Sequence, residues 1–475
     1  MKNKISRREY IKGAAAMVAA GAITQTTIGC KNDSADTVSF SSEFPVKYNV
    51  DVFVAGGGPA GCATAVSAAE TGHSVFLAES HSCLGGMGTA AKVPVFMQLT
   101  DGKNFLCAGF GRRIIDSLRK NRRIGGEAND IEALKRIYDD LMLKSGAKFT
   151  FQTTLMAVKK TGNKIDYVLC CAPSGVFAVK AKVYIDCTGN GDMAVQAGAK
   201  WEMTPSNEGC IPATLCGVWG GIDWKKWHAV MPKDNPQPQG YKLAQAIKDG
   251  VFTVPDYHMT GTYQLGDNIG VSNISHAFNV DGTDEKSVTK ALVESRKTLI
   301  EFENYYNKYI EGFEKAKLIG TGSLLGVRET RRIMGDYVLN FEDYKKRAVF
   351  DDEIGRYAYP IDIHPSGGDM AEYEKHRRDF DRLYRYKKGE SYGIPYRILT
   401  PKGIDNLLVA GRCVSADHLV HGSVRVMPAC YIMGQAAGLA ACQAADAKVS
   451  VHDIDVKKLQ KSLLKIGAFL PNAKA

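Results

Sequence analysis

The hydrophobic and polar positions of this 475-residue chain change period several times, and each change marks an element. Residues 50–55 are an apolar run, followed by glycines, an alanine-rich stretch over 60–71 closed by Gly72, and a second apolar run over 74–79. This order predicts a strand, a tight turn, a helix and a second strand, together one βαβ unit. Ile131, Leu134, Ile137, Tyr138 and Leu141 recur at helical spacing and define one face of a helix over 130–144. Five short strand patterns follow, at 148–153, 155–160, 164–170, 176–179 and 182–186, and predict an antiparallel meander packed on the first sheet. From 193 to 393 the pattern is irregular, apart from a long amphipathic helix over 285–308 that Asp284 is placed to cap. Apolar order returns with a strand at 406–410 and a small-residue helix at 428–446. The two ends of the chain therefore read as one α/β domain (48–192 and 394–475) around an α+β insert at 193–393.

Composition narrows the class. With 45% hydrophobic and 24% charged residues, the chain has ample material for a large core. The net charge of +10 is partly local, because residues 1–29 hold five Lys or Arg and one acid, four of those ten charges. The remaining basic residues are dispersed and carry no nucleic-acid motif, so no nucleic-acid partner is expected. Of twelve cysteines, Cys62, Cys187, Cys413, Cys430 and Cys442 stand among small or apolar neighbours and read as buried thiols. No CxxC occurs, and neither Cys170 with Cys171 nor Cys210 with Cys216 has zinc spacing, so no metal site is expected.

The first residues read as an address. Ser6-Arg7-Arg8-Glu9-Tyr10-Ile11-Lys12, ahead of a weakly apolar stretch at 13–23, resembles a twin-arginine export signal, which implies export of a folded protein with its cofactor loaded. Thr27-Ile28-Gly29-Cys30 is similar to a lipoprotein processing box with Cys30 as the acylated residue, although Thr27 stands where Leu is usual. The signal would span 1–29 and a polar linker 30–47, giving a periplasmic or membrane-anchored lipoprotein.

Gly56-Gly57-Gly58-Pro59-Ala60-Gly61 places a GxGxxG between the first strand and helix, and Glu79 ends the next strand. Gly56 permits the tight turn, Gly58 lets a pyrophosphate approach the backbone, and Gly61 lets helix pack on strand. Pro59 and Ala60 open the helix whose N-terminus attracts the anion, while Glu79, followed by Ser80, is placed to accept from a ribose. A second loop, Gly320-Thr321-Gly322-Ser323-Leu324-Leu325-Gly326, resembles the GxGxxxG of an NAD(P) site, but it follows a helix and a turn rather than a βαβ strand.

Three further segments carry a resemblance. Leu84-Gly85-Gly86-Met87-Gly88-Thr89 is similar to the double-glycine element of FAD-binding oxidoreductases with the glutathione-reductase-type Rossmann fold. Asp186-Cys187-Thr188-Gly189-Asn190-Gly191-Asp192 resembles their D-x-T-G-x-G-D segment. Asn406 to Cys413, with Gly411 and Arg412, and Gly422 to Pro428, with Val426 and Met427, resemble their C-terminal flavin element. Gly326 to Ile333 and Tyr392 to Arg397 sharpen this to the bacterial FAD-dependent oxidoreductase family. The resemblance implies a bound FAD, a helix near Pro428 aimed at the flavin N1/O2 edge, and a substrate it does not define.

For catalysis, Arg328, Arg331 and Arg332 suit a clamp on a carboxylate or polar oxygen, or structural pairing with Glu329 and Asp336. His418 and His421, just before the flavin-facing stretch, and His364 are candidate acid/base groups, or satisfied loop histidines. The resulting expectation is hydride transfer between flavin N5 and a small polar organic substrate, as alcohol oxidation or activated-alkene reduction, with an undefined electron partner. A rival is an exported glycan-binding or scaffold lipoprotein that keeps the fold without turnover, supported by the aromatic cluster Trp219, Trp224 and Trp227.

Overall fold

Strand β1 (Val46–Ala55) pairs with β2 (Val75–Ala78) in parallel, and helix α1 (Pro59–Ala69) joins them, as the first pattern predicts. The computed structural model describes residues 38–39, 41–120, 124–125, 128–232, 238–258 and 261–473; the segment expected to be an export signal, and Cys30, lie outside them. Residues 43–475 form one unit. Helix α2 (Phe110–Lys120) is not among the expected elements, whereas α3 (Ile131–Ser145) starts at its expected cap, Asp130, whose side chain accepts from Ala133 N at 2.8 Å.

The meander departs from expectation. Strands β3 (Lys148–Thr150), β4 (Thr154–Thr161), β5 (Lys164–Ala172) and β6 (Gly175–Asp186) are not a layer on the first sheet. They belong to it, in the order β3-β2-β1-β6-β5-β4. The two strands expected at 176–179 and 182–186 are one, because Lys180 and Lys182 face solvent and interrupt the apolar run without interrupting the strand. β6 lies parallel to β1 along one edge. Along its other edge it takes β5 antiparallel at Gly175 to Val179 and then β11 (Leu407–Val409) parallel at Tyr184 to Asp186.

Helix α6 (Met427–Ala447) crosses α1 at close range, which explains why both are built of small residues. A Cβ at Gly434 would lie 2.2 Å from Ala60 O, and Thr64 donates to Gly434 O at 3.0 Å. The insert has a second core around α4 (Glu285–Tyr309), against a sheet ordered β8-β9-β7-β10, from β7 (Gly217–Gly220), β8 (Thr262–Gln264), β9 (Gly270–Ser272) and β10 (Lys317–Thr321). Leu339 to Leu399, by contrast, contributes to the core shared by α1 and α6.

Two sequence readings change here. Trp219, Trp224 and Trp227 are buried in the second core, with Trp219 donating to Ser272 Oγ at 2.8 Å, so their rings are not displayed to a glycan. The Gly320 to Gly326 loop leaves β10, a strand antiparallel to β7, and Ser323 N donates to Ala90 O at 2.9 Å. It is not a βα phosphate turn. Every cysteine among the described residues is a free thiol, and Cys62, Cys187, Cys413, Cys430 and Cys442 are buried.

Candidate active site

The glycine turn has a different physical reason at each glycine. Gly56 has φ +92°, and a Cβ there would meet Cys187 O at 2.6 Å; a Cβ at Gly61 would lie 1.9 Å from Gly56 O. At Gly58 a Cβ would meet nothing within 4 Å, so the turn faces open space. Gly58 caps α1 without a side-chain bond and Pro59 follows it, which leaves the first-turn N–H groups of Ala60 and Gly61 to a ligand. Buried Glu79 braces this turn: Oε2 accepts from Gly57 N at 2.6 Å, and Oε1 accepts from His81 N at 2.7 Å and Ser80 Oγ at 3.3 Å. Oε2 retains a lone pair for a hydroxyl.

Segments distant in sequence close around that space. Gly85 N donates to Gly57 O at 2.8 Å, and a Cβ at Gly86 would stand 3.2 Å from Gly58 Cα, so the double glycine, with Met87, abuts the turn. Asp186, buried at the end of β6, accepts from Thr188 N, Thr188 Oγ1 and Ala194 N at 2.8–2.9 Å and thereby shapes the Thr188-Gly189 loop. Burial pushes its carboxyl up to about 6. Gly411 faces Ala60, where a Cβ would come within 3.1 Å of the alanine Cβ. The half-buried Arg412 donates to Gly189 O at 2.9 Å, Asn190 Oδ1 at 2.7 Å and Val327 O, tying the C-terminal segment to the loop and to residue 327. Val426 caps α6 with no side-chain bond, and Met427 Sδ would lie 2.8 Å from a Cβ at Gly88. Two uncapped helix N-termini and an open backbone face fit an FAD pyrophosphate and ring.

The three arginines separate. Arg332 is consumed by a buried ion pair with Glu329, and Arg331 donates to Asp192 Oδ1 at 3.2 Å. Arg328 is different: its guanidinium donates to Pro212 O and Thr214 Oγ1 at 2.8 Å and to Asn273 Oδ1 at 3.3 Å, all neutral acceptors. Burial draws it down to about 10.

The histidines separate too. His418 and His421 lie not on a loop but on a short helix, α5 (His418–Val424), capped by Asp417 accepting from Val420 N at 2.7 Å. His421 is fully buried; Nε2 donates to Arg412 O at 2.8 Å, and burial lowers it to about 3. His418 keeps 30% of its side chain exposed, while its Nδ1 lies 3.0 Å from Glu329 Oε1 and 3.1 Å from Thr204 Oγ1. Glu329 is wholly buried and accepts also from Thr204 Oγ1 at 2.7 Å and Ile211 N at 3.2 Å. Burial opposes its ionisation, but His418, His421 and Thr204 outweigh that and hold the carboxyl at about 2. His364 is buried against His258 and His276, two residues that sequence reasoning passed over; burial holds His258 and His364 well below the usual histidine range. Glu329 and Thr204 were equally unmarked as partners of His418, and no local spacing signals them.

Comparison with known proteins adds a family. A family model described as FAD dependent oxidoreductase matches residues 51–463. Among solved structures, the flavin-dependent brominase Bmp2 is 12% identical over 88% of this chain and 83% of its own, with TM-score 0.43. The myxobacterial chondrochloren halogenase CndH is 11% identical over 88% and 78%, with TM-score 0.42. A geranylgeranyl bacteriochlorophyll reductase-like protein from Thermoplasma acidophilum is 12% identical over 90% and 94%, with TM-score 0.39. No curated protein matches the sequence.

Proposed function

The chain belongs to the FAD dependent oxidoreductase family, and from that premise we propose that it transfers a hydride between flavin N5 and a small organic substrate whose anionic or strongly polar oxygen is held by Arg328. The reaction class is alcohol oxidation or reduction of an activated alkene. The observation that carries this reading is the half-buried Arg328 guanidinium, donating only to neutral acceptors while Arg331 and Arg332, three and four residues on, are each neutralised by a carboxylate. A half-buried cation lacking a hydrogen-bonded carboxylate is a natural anion receptor.

Gly58, Ala60, Gly61, Glu79, Gly85, Gly86, Thr188, Gly189, Gly411, Arg412, Val426 and Met427 would hold the cofactor, in the arrangement of the glutathione-reductase-type flavoproteins. Bound FAD supplies the hydride acceptor or donor. His418 handles the proton: with Nδ1–H held by Glu329, Nε2 keeps a lone pair to take a proton from a substrate hydroxyl, or returns one to a substrate carbon. Glu329 fixes that tautomer and stabilises the cation once it forms.

The test is anaerobic. Reduced and oxidised holoprotein are mixed with paired libraries of hydroxy acids, enoates and their uncharged analogues, and flavin absorbance is followed. Bleaching or reoxidation by carboxylate-bearing members alone, lost in Arg328→Met, supports the reading; equal rates with uncharged analogues in both proteins refute it. We also propose that the mature protein is exported by the twin-arginine route and anchored through an acylated Cys30, and that its electrons exchange with a diffusible or protein carrier. Intact mass of the mature N-terminus, with cell fractionation, tests the address: an unprocessed, cytosolic chain removes it.

A further inference from the structure

Three imidazoles from separate segments of the chain converge in the interior. His258 lies ahead of β8, His276 follows β9, and His364 follows the strand Glu353–Tyr357; their ligating atoms all lie within 4.8 Å of one another. His258 and His364 are buried, and the His276 side chain is only 2% exposed.

With protein atoms alone, the proton count across this group closes only if one imidazole is doubly protonated. His276 Nε2 and His364 Nδ1 are 2.8 Å apart, so one must carry a hydrogen and the other a lone pair. The far nitrogens lie beside carboxylates: His276 Nδ1 is 3.1 Å from Asp256 Oδ2, in ion-pair range without a hydrogen bond, and His364 Nε2 is 3.4 Å from Asp362 Oδ1. If both imidazoles are neutral and one proton sits between them, one far nitrogen must turn a bare lone pair toward a carboxylate. His258 Nδ1, beside them, is buried with no hydrogen-bond partner. The His276–His364 conflict vanishes if the shared proton is replaced by a metal cation: each keeps its N–H on the carboxylate side and turns a lone pair inward, with His258, stacked on His364, as the third donor within reach.

We propose that His258, His276 and His364 bind a divalent transition-metal ion, with Asp256 and Asp362 orienting His276 and His364 from behind. A carboxylate behind a ligating imidazole is the usual outer support of such sites, fixing the tautomer and raising ligand basicity. Three nitrogen donors suit zinc, iron, cobalt, nickel or copper, and do not suit magnesium or calcium. The 2.8 Å separation is close to the roughly 3 Å spacing of adjacent nitrogens on one ion at ordinary metal–nitrogen bond lengths. Arg425 approaches Asp362 to 3.8 Å, and Asp362 offsets its charge. The site is independent of the hydride-transfer reading and stands or falls alone.

The test uses the full chain with FAD bound and any affinity tag removed. After chelator treatment and desalting, the protein is titrated anaerobically with Co2+ and Zn2+, following cobalt d–d absorption, bound metal by mass spectrometry and flavin absorbance together. One metal ion per chain is expected in the wild type. His276→Gln and His364→Gln should lose it while their flavin spectrum is retained, and a change at the exposed His228, His228→Ala, should leave it unaltered. Should either Gln variant fail to fold, the second and His258→Gln serve the same purpose. A wild type that holds its flavin yet binds neither ion, or variants that bind as the wild type does, would overturn the proposal.

Discussion

The nucleotide cradle and the arginine-histidine interior are built on opposite principles. The cradle is made of backbone: Gly56, Gly58 and Gly61 act by lacking side chains, and the uncapped ends of α1 and α6 supply N–H groups. The interior is made of side chains, with Arg328, Glu329, His418 and the three clustered histidines each positioned by partners from other segments. A backbone site tolerates almost no added atom; a side-chain site tolerates exchange of groups while its charges remain balanced.

The strongest test of that contrast is steric. Gly58→Leu should leave a folded but colourless protein, because its Cβ meets no protein atom within 4 Å and the added side chain fills ligand space. Gly61→Val should lose the fold as well, since its Cβ collides with Gly56 O. Near-ultraviolet circular dichroism with flavin absorbance distinguishes them, and a yellow Gly58→Leu would break the comparison.

Next in size is charge balance. Glu329→Gln leaves Arg332 buried without its counter-charge and should cost about 3–5 kcal/mol of stability in urea denaturation. It should also move the pH–rate profile by altering His418. Arg328→Met should keep flavin and fold but lower kcat/KM about 10- to 100-fold for an anionic substrate, the worth of a charge-assisted hydrogen bond. Unchanged kcat/KM would place substrate recognition elsewhere.

The smallest effect concerns His421. Its folded value of about 3 lies below the ordinary histidine range, so the unfolded chain takes up the proton first as pH falls. Stability from this group is complete above about pH 6.5 and is lost toward pH 3. Between pH 7 and pH 5 the wild type should lose about 2 kcal/mol more than His421→Gln, which cannot titrate. Equal losses would mean His421 is not the buried neutral group facing Glu329, Arg332 and Arg425.

The same contrast governs what was legible in the sequence. The cradle's turn, strands and helix are consecutive, so spacing alone exposes them, and the caps at Asp130 and Asp284 fall where the pattern places them. Solvent exposure mimics a break at Lys180 and Lys182, whereas the apolar residues of α2, Phe110, Ile114, Ile115 and Leu118, stand at helical spacing and were legible. Glu329 meets His418 across 89 residues and Thr204 across 125, separations over which no periodicity carries information. His364 stood out beside a proline, whereas its neighbours His258 and His276 are isolated in sequence and join it only through the fold.

The crossing of α1 by α6 has a consequence in time. Thr64 and Gly434 are bonded across 370 residues, so the first βαβ unit emerges from the ribosome long before the helix that covers it. Until then α1, buried on every side in the finished protein, has an open apolar flank. Cofactor capture is consequently one of the last events of maturation, and a chain truncated before Met427 would make nearly all of the protein and none of the flavoenzyme.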